Sequence, residues 1–307
     1  MNTITVIIPC FNEEDNLYQL IKRIDASFHT ITTSIEILLI NDGSTDATLQ
    51  KIKELAGQNP CIKYISFSRN FGHQVAVSAG LDHCRGQAVV IMDGDLQDPP
   101  ELIPEMYKKY KEGYDVVYAK RTRRNGESWF KKATAKLFYR MLQRFTSFNI
   151  PLDAGDFRLI DRKVVEMLRQ MPEQNKFLRG QIAWMGFRQT YVEFERDARR
   201  HGKTGYPFKK MLDFALDGIT SLSHRPLRLV TQAGFMVSFL AFLILLYALG
   251  SHFILERTIT GWTSLIITVA FLGGVQLLSI GIIGEYISRI NKNILNRPLY
   301  IVEESNC

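Results

Sequence analysis

Asp93-Gly94-Asp95, followed by Leu96-Gln97-Asp98, is the stretch of this chain whose residue types and spacing best suit chemistry. In an extended segment, side chains two residues apart leave the backbone on the same side, so the two carboxylates converge. Paired hard oxygens suit a divalent cation, and Mg²⁺ is commonly held by one or two carboxylates plus substrate phosphates. Gln97 offers another oxygen. Gly94, lacking Cβ, allows a ligand to approach the backbone closely. A solvated Asp-Gly turn is the simpler alternative, and the triplet alone does not separate the two.

The elements around the triplet favour a site. Ala88–Met92 is apolar at every position, the pattern of a parallel strand covered on both faces. Residues just past such a strand lie at the carboxyl edge of the sheet, where open α/β sheets bind ligands. Strands are predicted at Thr3–Ile8, Ile35–Ile40, Ile62–Phe67, Ala88–Met92 and Val116–Ala119. Helices are predicted near Glu14–Ser27, Asp46–Leu55, Gln74–His83 and Pro100–Lys111. That alternation means βαβ units and a mostly parallel, Rossmann-like sheet.

The chain has 307 residues and a net charge of +7, which favours an anionic partner. The charge is not spread evenly. Between Lys120 and Arg144 nine Lys/Arg face one acidic residue, Glu127, a local charge of +8. Phe130, Ala133, Leu137, Met141 and Phe145 recur there at helical spacing, so 120–147 reads as a basic amphipathic helix on an anionic membrane surface. A second such helix is predicted within 206–228, through Phe208, Met211, Leu212, Ala215, Ile219 and Leu222. Residues 229–249 and 264–284 are each uncharged over 21 positions. Each would span about 31 Å as a helix, enough for two membrane crossings. Arg225 and Arg228 precede the first span, and Arg289, Lys292 and Arg297 follow the second. The loop 250–263 holds only Arg257, offset by Glu256. The positive-inside rule then puts both termini, including the tail 285–307, in the cytoplasm, with the chain in the inner (plasma) membrane.

Cys10, Cys61, Cys84 and Cys307 form no C-x-x-C pair and read as free thiols, and no cleaved signal peptide is expected. Gly202-Lys203-Thr204 mimics the end of a Walker loop, but Asp197 stands where the first glycine belongs. His73, His83, His201 and His224 show no ligand spacing and read as structural or surface residues. No groove-reading motif accompanies the basic stretch, which argues against nucleic acid.

Three further motifs sit at or near predicted strand ends: Pro9-Cys10-Phe11-Asn12-Glu13-Glu14, Asn41-Asp42-Gly43-Ser44 and Gly155-Asp156-Phe157-Arg158. In order with Asp93-Gly94-Asp95 they resemble the family 2 glycosyltransferases with a GT-A fold. With two C-terminal spans, essentially the whole chain resembles the polyprenyl-phosphate glycosyltransferases, notably the bactoprenol glucosyltransferases, with residues 1–205 as the catalytic domain. Dolichol-phosphate mannose synthases are related. The resemblance implies an inverting hexosyl transfer from a nucleotide sugar, UDP-glucose first among donors, to undecaprenyl phosphate. It implies that Pro9, Phe11, Glu13 and Asp42 line the nucleotide pocket, and that Asp93 and Asp95, with Gln97, hold Mg²⁺ or Mn²⁺. It further implies that Arg121 and a following arginine such as Arg124, with Arg158, meet the acceptor phosphate. Asp156 is implied as a general base, or as the residue orienting Arg158. The late family motif reads Arg-x-x-Gly-x-Ser/Thr-Lys-aromatic; here Arg199-Arg-His-Gly202-Lys203-Thr204-Gly205-Tyr206 has glycine for the lysine. Arg199 and Lys203 are then the candidates for the donor diphosphate. A homo-oligomer, a tetramer by resemblance, is expected, and Gly273, Gly274, Gly281 and Gly284 offer packing surfaces. A flippase is the expected downstream partner.

Two other readings compete. A processive polysaccharide synthase needs Gln-x-x-Arg-Trp, and Gln181-Ile-Ala-Trp184 lacks the arginine. A non-catalytic, membrane-anchored sugar-nucleotide-binding subunit would not need the acidic triplet. Donors carrying GlcNAc, galactose, mannose or an aminosugar remain alternatives to glucose.

Overall fold

The computed structural model describes residues 3–29, 31, 33–121, 154–194 and 261–307, with scattered helical positions between 227 and 247. The chain divides into two compact units, residues 1–218 joined by 297–307, and residues 219–296.

The first unit is built on β1 (Thr3–Cys10), β2 (Ser34–Asn41), β3 (Ile62–Phe67), β4 (Ala88–Ile91), β5 (Val116–Arg121), β6 (Ala154–Asp161), β7 (Gln189–Phe194) and β8 (Val302–Ser305). They form one sheet in the order β7-β5-β6-β4-β1-β2-β3-β8. β3, β2, β1 and β4 run parallel, β6 is antiparallel to β4 and to β5, and β8 is antiparallel to β3. The helices are α1 (Leu17–Phe28), α2 (Thr48–Gln58), α3 (His73–His83), α4 (Ile103–Lys111), α5 (Arg162–Gln170) and α6 (Leu178–Trp184).

Consecutive apolar residues in β1 serve both faces, as a buried parallel strand requires. Ile4, Val6 and Ile8 pack in one cluster with Leu17, Leu20 and Ile24 of α1 and Met106 of α4. Ile7, Leu38 and Ile40 pack in the other with Ala76 and Val77 of α3 and Val164 and Val165 of α5. Each such side chain contributes about 1.5–3 kcal/mol by leaving water. α3 lies especially close to the sheet. A Cβ on Gly80 would sit 2.3 Å from Ile7 Cγ2, so only glycine lets this helix approach.

Strand order matters for function. The chain runs outward from β1 to β2 and β3, then returns to place β4 on the other side of β1. The carboxyl ends of β1 and β4 therefore diverge at a topological switch point, where such sheets bind ligands.

β6, β7, β8, α5 and α6 were not among the predicted elements. The Gly155-Asp156-Phe157-Arg158 motif, expected past the basic helix, is itself inside β6, and its Arg158 pairs in register with Ile91 of β4. The basic segment expected at 120–147 lies almost wholly outside the described residues, as does 206–226.

In the second unit, α7 (Trp262–Leu295) runs 34 residues. Within it Phe271–Leu295 is long and apolar enough to cross a membrane, with its apolar stretch unburied. It is the one such helix among the described residues. The expected first span, 229–249, is described only at scattered positions, all of them helical.

Candidate active site

The loops after β1 and β2 are tied together by side-chain hydrogen bonds, and the loop after β4 packs beside the first of them. Asn12 and Leu96 adopt left-handed backbone, φ 57° and 61°, in the loops after β1 and β4. Such values are uncommon for residues other than glycine and mark bends held by their surroundings. The Asn12 amide donates to Ser44 Oγ at 3.1 Å, and its side-chain oxygen accepts from the Thr45 amide at 2.9 Å. The Glu13 amide donates to Thr48 Oγ1 at 2.8 Å, and Asn16 Nδ2 donates to Glu13 Oε2 at 2.6 Å. Gly94 turns its Cα toward this loop: a Cβ would meet Pro9 O at 3.4 Å and Glu13 Cγ at 3.6 Å. These are ordinary van der Waals distances, so the backbone in the middle of the acidic triplet packs beside Pro9 and Glu13.

Asp42 is almost completely buried. Its carboxylate accepts from the Phe71 amide at 2.7 Å and the Gly72 amide at 3.0 Å. Burial pushes its carboxyl upward, partly offset by those two amides and by the charges of His73 and Arg69. Asp42, expected in the nucleotide pocket, holds the entrance to α3. That entrance positions His73, whose Nε2 lies 2.8 Å from Asp93 Oδ1. Burial opposes charge on this imidazole, but the hydrogen bond and charge of Asp93, helped by Asp156, push it up to about 9. At neutral pH the ring is a cation seated on Asp93.

Beside this pair lies a buried ion cluster. Asp156 Oδ1 accepts from Arg179 Nε at 2.9 Å and from Arg158 Nη2 at 3.2 Å. Burial alone would raise the Asp156 carboxyl; the two guanidinium groups outweigh it and hold the group well below the ordinary carboxylate range. Arg158 is buried, and donates also to the Gly155 and Asp156 carbonyls at 3.0 and 3.2 Å. Burial lowers its guanidinium to about 10, still charged at neutral pH, with Asp156 opposing the shift. Arg158, expected at an acceptor phosphate, therefore spends donors on its own strand. Arg179, from α6, is the more exposed arginine of the cluster.

His73 was expected to be a structural or surface residue, and Arg179 was not singled out in the sequence. His73 stands just past the third strand, at the same sheet edge as the motifs, and that position was an available signal. Arg179 had none, because its approach to Asp156 depends on where α6 docks. Asp95 Oδ1 accepts the Gln97 backbone amide at 3.1 Å, which fixes the loop. Among the described residues no group of three or more His, Cys, Asp and Glu converges as a metal cage. Arg124, Arg199 and Lys203 lie outside the described residues, as does the side chain of Arg121.

A cavity of about 490 Å³ opens beside these loops, lined by Phe11, Asn41, Gly43, Ser44, Arg69 and Glu303 among others. Gly43 has φ 63°, and a Cβ there would sit 2.3 Å from the backbone carbon of Arg69. Phe11 presents 46% of its surface to solvent, a flat apolar platform at the mouth.

The sequence model described as glycosyl transferase family 2 matches residues 5–169, more than half the chain, including Asp42 and the Asp93–Asp95 triplet. The chain is a family 2 glycosyltransferase. It is 48% identical over 301 residues to the uncharacterized glycosyltransferase YkcC of Bacillus subtilis, covering 98% of this chain and 93% of that one. It is 40% identical over 303 residues to the SfII prophage-derived bactoprenol glucosyl transferase of Shigella flexneri, covering 99% and 98%. Among solved structures, that of S. aureus TarS with UDP-GlcNAc superposes with a TM-score of 0.51 at 16% identity, covering 72% and 66%. Mannosyl-3-phosphoglycerate synthase from Rubrobacter xylanophilus gives 0.50 at 16%, covering 73% and 74%. These two likenesses concern the fold alone: the glycosyltransferase has the GT-A, Rossmann-like, mostly parallel sheet. Its four strand-associated motifs all fall in the first unit, two of them at the switch point.

Proposed function

We propose that this glycosyltransferase moves a hexose, glucose from UDP-glucose in the first instance, onto a polyprenyl phosphate at the cytoplasmic face of a membrane. The observation that carries this reading is the 40% identity, over 99% of the chain, to a bactoprenol glucosyl transferase. The 490 Å³ cavity is then the nucleoside pocket, with Phe11 as its stacking platform.

The two aspartates fit a divalent cation. Both offer hard oxygens at the carboxyl edge of the sheet, and Asp93 Oδ1 already takes a polar partner, His73 Nε2, at 2.8 Å. With only two carboxylates, the remaining ligands would come from the donor diphosphate and water, as Mg²⁺ prefers. Mg²⁺ or Mn²⁺ held by Asp93 and Asp95 would act as a Lewis acid, offsetting negative charge on the departing nucleoside diphosphate. His73 and Arg179 add positive charge on the side of Asp156. A polyprenyl monophosphate has a second pKa of roughly 6 and is largely dianionic at neutral pH. It needs no proton removed, so Asp156 serves as the anchor of Arg158 and Arg179.

The course of the chain supports the membrane reading. It leaves the first unit at Gly218 and rejoins it at Arg297. A segment that departs from and returns to one folded unit crosses a membrane an even number of times. α7 supplies one crossing, so the partner crossing falls before it, where residues such as Val230, Phe235 and Leu243 are helical. Single cysteines placed in the loop 250–263, in a chain whose own cysteines are replaced, should react in whole cells with a membrane-impermeant maleimide. Cysteines placed beyond Arg297 should react only after lysis; equal labelling of both would sink the two-span topology.

The activity test uses purified, detergent-solubilised protein, undecaprenyl phosphate, Mg²⁺ and radiolabelled UDP-glucose. Label entering the organic phase, and lost with chelator, is expected. Label arriving only from another nucleotide sugar would overturn the sugar and keep the reaction class. Nucleotide binding without transfer from any donor would favour the non-catalytic subunit.

A further inference from the structure

The cavity that we assign to the donor nucleoside is not built by the catalytic segment alone. Glu303, from the tail beyond α7, is one of its walls. The tail is zipped onto the outer edge of β3 by contacts along its length. The Ser68 amide donates to the Ile301 carbonyl at 3.1 Å, and the Tyr64 amide donates to Asn306 Oδ1 at 2.6 Å. Tyr300 stacks on Phe67 with centroids 5.0 Å apart, and its hydroxyl donates to Asp82 at 3.1 Å. Glu304 pairs with Lys53 of α2 at 2.6 Å. In β8, Glu304 pairs with Ser66 and Val302 with Phe67, so Glu303 is the extra residue of a bulge, which re-aims its side chain. Glu304 is taken up by α2, while Glu303 faces the cavity, next to Arg69 and the Ser44 loop.

We propose that Glu303 reads the base of the donor, accepting an N–H from the edge of uracil N3 or guanine N1. A carboxylate is acceptor-only when ionised. It therefore favours bases that present an N–H at that edge and disfavours cytosine, whose N3 is itself an acceptor. The hydroxyls and amides at Asn41, Ser44, Ser66 and Asn70 are of the type that pairs with flanking base carbonyls. The donor site is thus completed by residues that lie after the membrane helix in the chain.

This inference rests on assigning the cavity to the nucleotide, and the test separates the two. Calorimetry of the full-length protein in detergent with Mg²⁺ would compare UDP, GDP and CDP for wild type, Glu303→Ala and Glu303→Gln. Alanine is expected to weaken whichever of UDP or GDP the wild type prefers by about tenfold or more, the usual loss for a hydrogen bond to a charged group. CDP affinity should stay within about twofold, and glutamine, which retains an acceptor oxygen, should restore part of the loss. Unchanged UDP and GDP affinity in Glu303→Ala would overturn the proposal. So would an equal loss for all three nucleotides, which would make the residue a strut of the tail. Wild type binding none of the three would instead overturn the assignment of the cavity itself.

Discussion

Alanine at Asp95 is expected to reduce sugar transfer by at least about a thousandfold while leaving the fold intact. The two halves of that expectation rest on different physics. Asp95 sits in a partly exposed loop, where its carboxylate accepts the Gln97 amide at 3.1 Å. A hydrogen bond of that kind contributes about 1 kcal/mol, too little to unfold the domain. Its electrostatic role is larger: a metal-held Lewis acid is worth several kcal/mol of transition-state stabilisation, each 1.36 kcal/mol being a factor of ten. Asp95→Asn keeps the size and an acceptor for Gln97 but removes the charge, so it should be nearly as inactive. Calorimetry supplies a readout independent of turnover: Mg²⁺ should strengthen UDP binding in wild type and not in either variant. An asparagine variant with wild-type rates and metal-enhanced binding would dismiss the two-carboxylate site.

Asp156→Ala is expected to fail differently, by destabilising the catalytic unit by about 3–5 kcal/mol, the usual result of stranding one partner of a buried ion pair. Arg158 is buried against Asp156 at 3.2 Å, and Arg179 shares the same oxygen at 2.9 Å. The dependence on pH has a definite sign. The folded-state carboxyl lies below its ordinary value of about 3.9, so its stabilisation is fully present above that value and is lost as pH falls through the folded value. The stability gap between wild type and variant should therefore be constant from neutral pH to about pH 5 and narrow only in stronger acid. A carboxylate fixed in its ionised form by two guanidinium groups is also a poor proton acceptor. If transfer shows an acid limb near pH 6, the second ionisation of the acceptor phosphate accounts for it. Asp156→Asn, which keeps the shape, should retain that limb at the same midpoint with a lower plateau. Loss of the limb in that variant would restore Asp156 as the general base.

Much of the fold was legible because its strands announce themselves. Ala88–Met92 and Val6–Ile8 are apolar without interruption, and α1, α2 and α4 carry the 3.6-residue period. The predicted bounds therefore fall close to those observed for β1 to β5 and α1 to α4. The antiparallel part was not legible. β6 follows the basic segment and carries Asp156 and Arg158 in what reads as a loop motif, yet it pairs with β4 and β5. β8 is exposed and charged, with glutamates at two of its four positions, so no local pattern marks it as a strand. It is a strand because the edge of β3 offers unpaired amides and carbonyls.

For the site the division is similar. That Pro9 to Glu13, Asn41 to Ser44 and Asp93 to Asp95 belong together follows from sequence, since parallel strands deliver all their carboxyl ends to one edge of the sheet. Side-chain partnerships across that edge do not follow. His73 on Asp93, two arginines on Asp156 and Glu303 in the cavity depend on strand order, on how closely Gly80 lets α3 approach β1, and on where the tail docks. Those are long-range packing outcomes, decided by the shapes of surfaces that exist only once the sheet has assembled. A period of two or 3.6 residues along the chain carries no record of them.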